Sequence, residues 1–143
     1  MKVKEFISQL DEARIVAALA AAEQQTSGEI RVYISHHAHA DALAFAQKRF
    51  QQLGMTKTRQ RNAVLLYLAP RTRQFAVVGD SGVHEKCGDA FWQDVSAKLG
   101  AALRQGDYTA ALIQALQQVG GLLAMHFPHT ADDVNELPDT IIH

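Results

Sequence analysis

The run Ala63-Val64-Leu65-Leu66-Tyr67-Leu68-Ala69 carries no charge, and it is followed at once by Pro70-Arg71-Thr72-Arg73 and a second apolar stretch from Gln74 to Val78. Near-continuous apolarity over so short a length, bounded by turn residues, suits a strand covered on both faces. The Pro70–Arg73 connection is short enough to reverse the chain, so the second stretch is predicted to return antiparallel as the partner of a hairpin. A strand covered on both sides obliges the rest of the chain to supply packing layers, which restricts the fold to a layered sandwich around a small sheet.

The neighbouring segments fit that demand. Glu29 to Ser35 alternates, with Ile30, Val32 and Ile34 on one face and Arg31 and Tyr33 on the other, predicting a strand with one half-exposed face. Ala42, Phe45, Ala46, Phe50 and Leu53 recur at helical spacing up to Gly54. Strand, helix, strand in that order implies a crossover joining two parallel strands. Ahead of them, Ser8-Gln9-Leu10-Asp11 resembles a capping box and leads into Ile15, Leu19 and Ala22, a first helix stopped by Thr26-Ser27-Gly28. Phe91, Val95, Leu99 and Leu103 mark a third helix closed by Gly106, and Leu112, Leu116, Val119 and Leu123 a fourth. The expected fold class is α/β: a small mixed sheet, parallel crossover plus antiparallel hairpin, covered by about four helices. One domain over residues 1–128 is expected, with Pro128 closing it. Residues 129–143 form an acidic tail in which Leu137, Ile141 and Ile142 are able to dock.

With 143 residues, 48% of them hydrophobic, the chain can bury a core without staples. Cys87 stands alone, so no internal disulfide is possible. Met1-Lys2-Val3-Lys4-Glu5 runs into Asp11, Glu12 and Arg14 rather than into the apolar stretch of a signal peptide, and the longest apolar run is far short of the roughly 20 residues that span a bilayer. A cytoplasmic location without direct membrane insertion is the expectation. The net charge of −1 hides an uneven distribution. Lys48, Arg49, Lys57, Arg59, Arg61, Arg71 and Arg73 fall in a span from Ala42 to Gly79 that has no acidic residue, while Asp132, Asp133, Glu136 and Asp139 fall in a tail with no Lys or Arg. This suits an anionic or acidic partner, or solvated surfaces. Nucleic acid is disfavoured, because the domain is not basic overall and no aromatics interleave the cations.

The chemistry-bearing candidates lie at one end of the predicted sheet. If the first two strands are parallel and the third returns, the starts of strands one and two and the end of strand three meet, making Glu29, Arg61, Asn62 and Asp80 neighbours. The glycine-punctuated segment Gly79-Asp80-Ser81-Gly82-Val83-His84-Glu85-Lys86-Cys87-Gly88-Asp89, read as a loop, brings Glu85 and Asp89 to the same region, with Lys57 and Arg59 approaching from the preceding loop. Carboxylates with the Asn62 amide are an oxygen set suited to Ca²⁺ or Mg²⁺. Equally, Arg59 and Arg61 can neutralise the carboxylates while Asp89 caps a helix. His36-His37-Ala38-His39 reads as surface loop, since neighbours on an extended chain face opposite ways. Cys87 with His84 three residues earlier offers a thiol and base on one helical turn, but it reads rather as a small buried Cys beside an exposed His, and no nucleotide-binding or hydrolase motif accompanies these residues.

Thr26-Ser27-Gly28-Glu29-Ile30-Arg31-Val32, Arg61-Asn62-Ala63-Val64-Leu65-Leu66-Tyr67, Gly79-Asp80-Ser81-Gly82-Val83-His84-Glu85-Lys86, Phe91-Trp92 and Gly106-Asp107-Tyr108 together resemble the TPM-domain family over about residues 8–127. That family groups bacterial domains with thylakoid proteins of photosystem II repair. The resemblance implies an α/β sandwich and a divalent-ion site, usually calcium, near acidic residues, with acid phosphatase activity proposed for some plant members. Asp80 matches the glycine-flanked turn after the hairpin, Asp89 a further acidic position, and Asn62 the amide opening the central strand. Thr72 departs from the pattern, where relatives often carry Asp, and the signal peptide and C-terminal membrane span of many relatives have no counterpart here. Three readings follow. One is a binding or accessory module with a divalent-cation site formed by Asp80, Asp89, Glu85, Glu29 and Asn62, acting through a protein partner that is itself membrane-associated in one version. Another is a metal-assisted phosphatase using Asp80, Arg61 and Arg59. The last is a scaffold with internal ion pairs.

Overall fold

The computed structural model describes residues 1–38, 40–129 and 141–143. The central apolar run is strand β2, Ala63–Ala69, buried along its whole length. Strand β1, Glu29–Ile34, pairs parallel to it from Glu29 opposite Ala63 to Ile34 opposite Leu68. Strand β3, Gln74–Gly79, returns antiparallel from Ala69 opposite Gln74 to Val64 opposite Gly79. The reversal is a single 3-10 turn at Pro70–Thr72 closed by Arg73, whose φ of 53° gives the left-handed step the hairpin needs. A two-residue strand β4, Ile141–Ile142, pairs parallel with Val32 and Tyr33, so the sheet order is β3-β2-β1-β4.

The expected mixed sheet within a helical sandwich is what forms, with six α-helices among the described residues. Four are those the periodicity predicted: α2 (Glu12–Gln24), α3 (Ala42–Gln52), α5 (Asp89–Arg104) and α6 (Tyr108–His126), alongside α1 (Val3–Ser8) and α4 (Ser81–Cys87). Two local readings are corrected. The capping role ahead of α2 belongs to Asp11, whose Oδ1 accepts from the Arg14 N–H at 3.2 Å, while Ser8 ends the separate helix α1 and gives its hydroxyl to the Glu5 carbonyl. The segment after Asp80 is a helix rather than a loop, because Asp80 caps its start and Gly88 at φ 75° ends it.

Two apolar layers sandwich the sheet. Ile30, Val32 and Ile34 of β1 and Val64, Leu66 and Leu68 of β2 pack with Ile15 and Leu19 of α2, Val95 and Leu99 of α5, and Leu112 and Leu116 of α6. Each fully buried side chain of this size contributes about 1.5–3 kcal/mol relative to an exposed one. The alternate residues Ala63, Leu65, Tyr67 and Ala69 form a smaller cluster with Ala42, Ala46 and Phe50 of α3 and with Met55. The second face of β1 is not half-exposed as the alternation predicted: Glu29 and Arg31 are buried, and Tyr33 is partly so, packed against the α3 cluster with Arg49 over its ring at 4.9 Å and stacked on Tyr67 at 5.4 Å. Ile141 and Ile142 dock, as the tail's apolar residues allow. The acidic tail residues Asp132, Asp133, Glu136 and Asp139, with Leu137 and His39, lie outside the described residues.

Candidate functional site

The register places the beginnings of β1 and β2 and the end of β3 together. Glu29 stands opposite Ala63, and the Asp80 N–H donates to the Ala63 carbonyl at 3.0 Å. Glu29, Asn62 and Asp80 therefore do share one end of the sheet, and all three are buried.

What fills that corner is a guanidinium. Arg61 Nε donates to Asp80 Oδ2 at 2.7 Å and Arg61 Nη2 to Asp80 Oδ1 at 2.8 Å, a two-pronged charge-assisted pair. Asp80 Oδ1 also accepts the Ser81 N–H at 2.7 Å, tying the carboxylate to the first turn of α4. The Asp80 side chain is 5% exposed, whereas that of Arg61 is 49% exposed. Hydrogen bonding to Asp80, and then its charge, holds the Arg61 guanidinium above its ordinary pKa, so it stays cationic throughout the physiological range. The backbone builds this arrangement deliberately at two residues. Arg61 adopts a left-handed φ of 51°, and its carbonyl accepts the Gly82 N–H at 2.9 Å. A Cβ at Gly82 would lie 2.2 Å from the Gln60 carbonyl oxygen, so only glycine lets the two segments meet.

Beneath the pair, Ser27 collects the loop. Its Oγ accepts from Asn62 Nδ2 at 3.2 Å and from Gln60 Nε2 at 3.1 Å, and the Thr58 hydroxyl oxygen accepts the Asn62 N–H at 3.2 Å. The Thr26 hydroxyl donates to the Phe127 carbonyl and accepts the Gly28 N–H, joining the end of α6 to the start of β1. Neither Ser27 nor Thr58 stands among the sequence's site candidates. Thr26-Ser27-Gly28 reads from the sequence as a helix stop and as part of the family resemblance, and its bond to Asn62 spans 35 positions.

The other sequence candidates do not join the cluster as a cage. Glu85 is exposed on α4, Asp89 is exposed as the first residue of α5 with Gly88 in the capping position, and Arg59 is exposed. Among the described residues, no group of three His, Cys, Asp or Glu side chains comes together that could hold a metal ion. With both Asp80 oxygens engaged by Arg61 and Ser81, and Glu85 and Asp89 outside the cluster, the residues present do not fit a divalent ion in this arrangement. Nor does a thiol nucleophile emerge: burial pushes the Cys87 thiol above its ordinary pKa, and the His84 ring leans on Trp92 at 5.4 Å.

Comparison with known proteins gives the arrangement its setting. The family model for the TPM domain matches residues 2–122. The chain belongs to the TPM-domain family. This TPM domain is similar to the NMR structure of BA42 from the psychrophilic bacterium Bizionia argentinensis, with 35% identity, a TM-score of 0.85, and 92% of this chain and 90% of that one covered. It shares its fold with the N-terminal domain of cg2496 from Corynebacterium glutamicum, at 19% identity and a TM-score of 0.60 over 92% of this chain and 76% of that one. The same holds for the N-terminal domain of a P. gingivalis protein, at 19% identity and a TM-score of 0.58 over 80% of this chain and 75% of that one. Comparison with curated proteins found no match. Among the described residues of this TPM domain, no helix is long and apolar enough to cross a membrane.

Proposed function

We propose that this TPM domain is an accessory binding module that acts through a protein partner, and that its Asp80 corner is a structural latch rather than a catalytic centre. The observation that carries the latch is the two-pronged Arg61–Asp80 pair at 2.7 and 2.8 Å, and the partner-binding role follows from setting catalysis at that corner aside. A carboxylate whose oxygens already accept three N–H donors has little capacity left to activate water or hold an ion, and the guanidinium supplies the positive charge a cation would bring. A phosphatase needs a nucleophile or an activated water beside a phosphate cradle. Arg59 is turned out to solvent, and the raised Cys87 thiol is a poor attacker.

A second reading has one observation in its favour. The Arg61 side chain is half exposed, so a Ca²⁺ or Mg²⁺ ion competing for Asp80 would displace it into water without unpacking the core. Thermal melting in Ca²⁺, Mg²⁺ and chelator separates the two. The latch reading expects coincident melting curves, and no metal-dependent phosphate release from an aryl phosphate. An ion at a hundredfold its dissociation constant would add about 2.7 kcal/mol, which is roughly 8 °C for a chain of this size. A rise of that order that disappears in Asp80→Asn would overturn the latch in favour of the cation.

A further inference from the structure

The opposite end of the sheet, where β2 ends and β3 begins, carries a half-open groove of about 290 Å³ between the hairpin, α1, α5 and α6. Its walls are apolar: Phe6 and Tyr108 meet ring to ring at 4.9 Å, and Phe75 and Leu103 line the remainder. Its rim is cationic. Arg73 projects from the left-handed step of the hairpin, and Arg104 comes from the last turn of α5. At Gly100 a Cβ would lie 3.3 Å from Phe75 Cζ and 3.5 Å from Arg104 Nη1, so ring and guanidinium converge over the one residue of α5 that leaves them room. Among the described residues, no acidic side chain lines the groove and neither arginine forms an ion pair.

We propose that this groove binds a medium-chain carboxylate, its hydrocarbon lying against Phe6, Phe75, Leu103 and Tyr108 and its head group between Arg73 and Arg104. With Phe6, Phe75, Leu103 and Tyr108 all lining it, the groove of about 290 Å³ offers apolar surface to a hydrocarbon chain as well as cations to a head group. An apolar floor under two unpaired guanidiniums selects an amphipathic anion over an uncharged or cationic one. The site lies at the far end of the sheet from Asp80 and stands independently of the latch.

Titration of the ¹⁵N-labelled chain with decanoate, below its aggregation concentration, tests this by amide resonances. Saturable shifts centred on Phe75, Leu103 and Tyr108 are expected, and acetate and decyltrimethylammonium should leave those amides in place. Arg73→Asn keeps a residue that tolerates positive φ, and both arginines are exposed, so the double variant with Arg104→Gln should fold. It should bind decanoate about tenfold more weakly. The proposal is overturned by non-saturable shifts scattered over the surface, by equal binding of the cationic analogue, or by undiminished affinity in the double variant. It is equally overturned if an acidic tryptophan-containing peptide shifts the groove amides while decanoate does not, which would assign the groove to a protein segment.

Discussion

Replacing Gly82 with alanine is the sharpest test of how the Asp80 corner is held. The added methyl would sit 2.2 Å from the Gln60 carbonyl oxygen and 2.7 Å from that of Arg61, so the backbone at 60–61 would have to retreat by roughly 1 Å to relieve it. Both obstructing atoms belong to main chain, and no side chain can swing away to make room. That retreat would break the 2.9 Å hydrogen bond from the Gly82 N–H to the Arg61 carbonyl and pull the guanidinium off Asp80. Overpacking of this kind costs about 1–3 kcal/mol, and the lost hydrogen bond about 1 kcal/mol. Alanine returns up to about 1 kcal/mol through its better helix propensity. The net expectation is a loss of about 1–3 kcal/mol, or roughly 3–9 °C in melting temperature. Urea unfolding followed by circular dichroism measures the first quantity, and the Arg61 Nε resonance reports the pair directly. A Gly82→Ala chain as stable as the parent, with that resonance unmoved, would refute the argument that this glycine makes the latch.

Two adjacent glycines of α6 should respond with opposite signs. A Cβ at Gly120 would lie 2.7 Å from Ala22 Cβ and 3.2 Å from Ala22 Cα, so Gly120→Ala should destabilise by prying α2 from α6, whereas nothing lies within 4 Å of a Cβ at exposed Gly121, and Gly121→Ala should stabilise by about 1 kcal/mol. Matching urea curves for the two variants would contradict that packing. Cys87 should alkylate more slowly than free cysteine at pH 8, with a rate still climbing above pH 9.0, because burial raises its pKa beyond that ordinary value. The same raised pKa leaves stability intact below pH 9.0 and erodes it as pH climbs through the folded-state value, so Cys87→Ser should flatten the alkaline limb of the stability profile. Fast, pH-independent labelling near neutrality would instead restore Cys87 as a candidate nucleophile.

The sheet was legible because its signals are local. An apolar run, a four-residue reversal and a second apolar run fix β2 and β3 wherever they lie, and the register then brings Glu29, Asn62 and Asp80 to one end. Helix α4 escaped notice because it has seven residues, carries Gly82 inside, and buries only Val83, leaving no periodicity to read. Strand β4 escaped because two residues gain their conformation from β1, more than a hundred positions away. The choice between an ion and an arginine at Asp80 was left open for a similar reason. It depends on a left-handed φ at Arg61, a conformation that nothing about an arginine announces. The groove at the far end is assembled from α1, the β2–β3 hairpin, α5 and α6, and no contiguous stretch of sequence carries it.

The same end of the sheet poses one electrostatic problem with two chemical answers. A carboxylate that caps a short helix and is 5% exposed needs a counter-charge, because an unpaired buried anion is among the costlier features a fold can hold. A bound divalent ion would answer it and make the corner depend on ion concentration. An arginine placed nineteen residues earlier in the chain answers it permanently, and lets the corner form without any ligand. Because the Arg61 head remains half in water, it satisfies Asp80 without itself being fully desolvated, which avoids the larger penalty of burying both partners. Ion dependence and arginine pairing are thus alternatives at a single carboxylate. Converting Arg61 to glutamine, which keeps one donor and removes the charge, should therefore be the one substitution that makes this chain's melting respond to Ca²⁺, while Asp80→Asn should abolish that response in the double variant. A Ca²⁺ response in the parent chain, or none in Arg61→Gln, would show that the two answers are not exchangeable at Asp80.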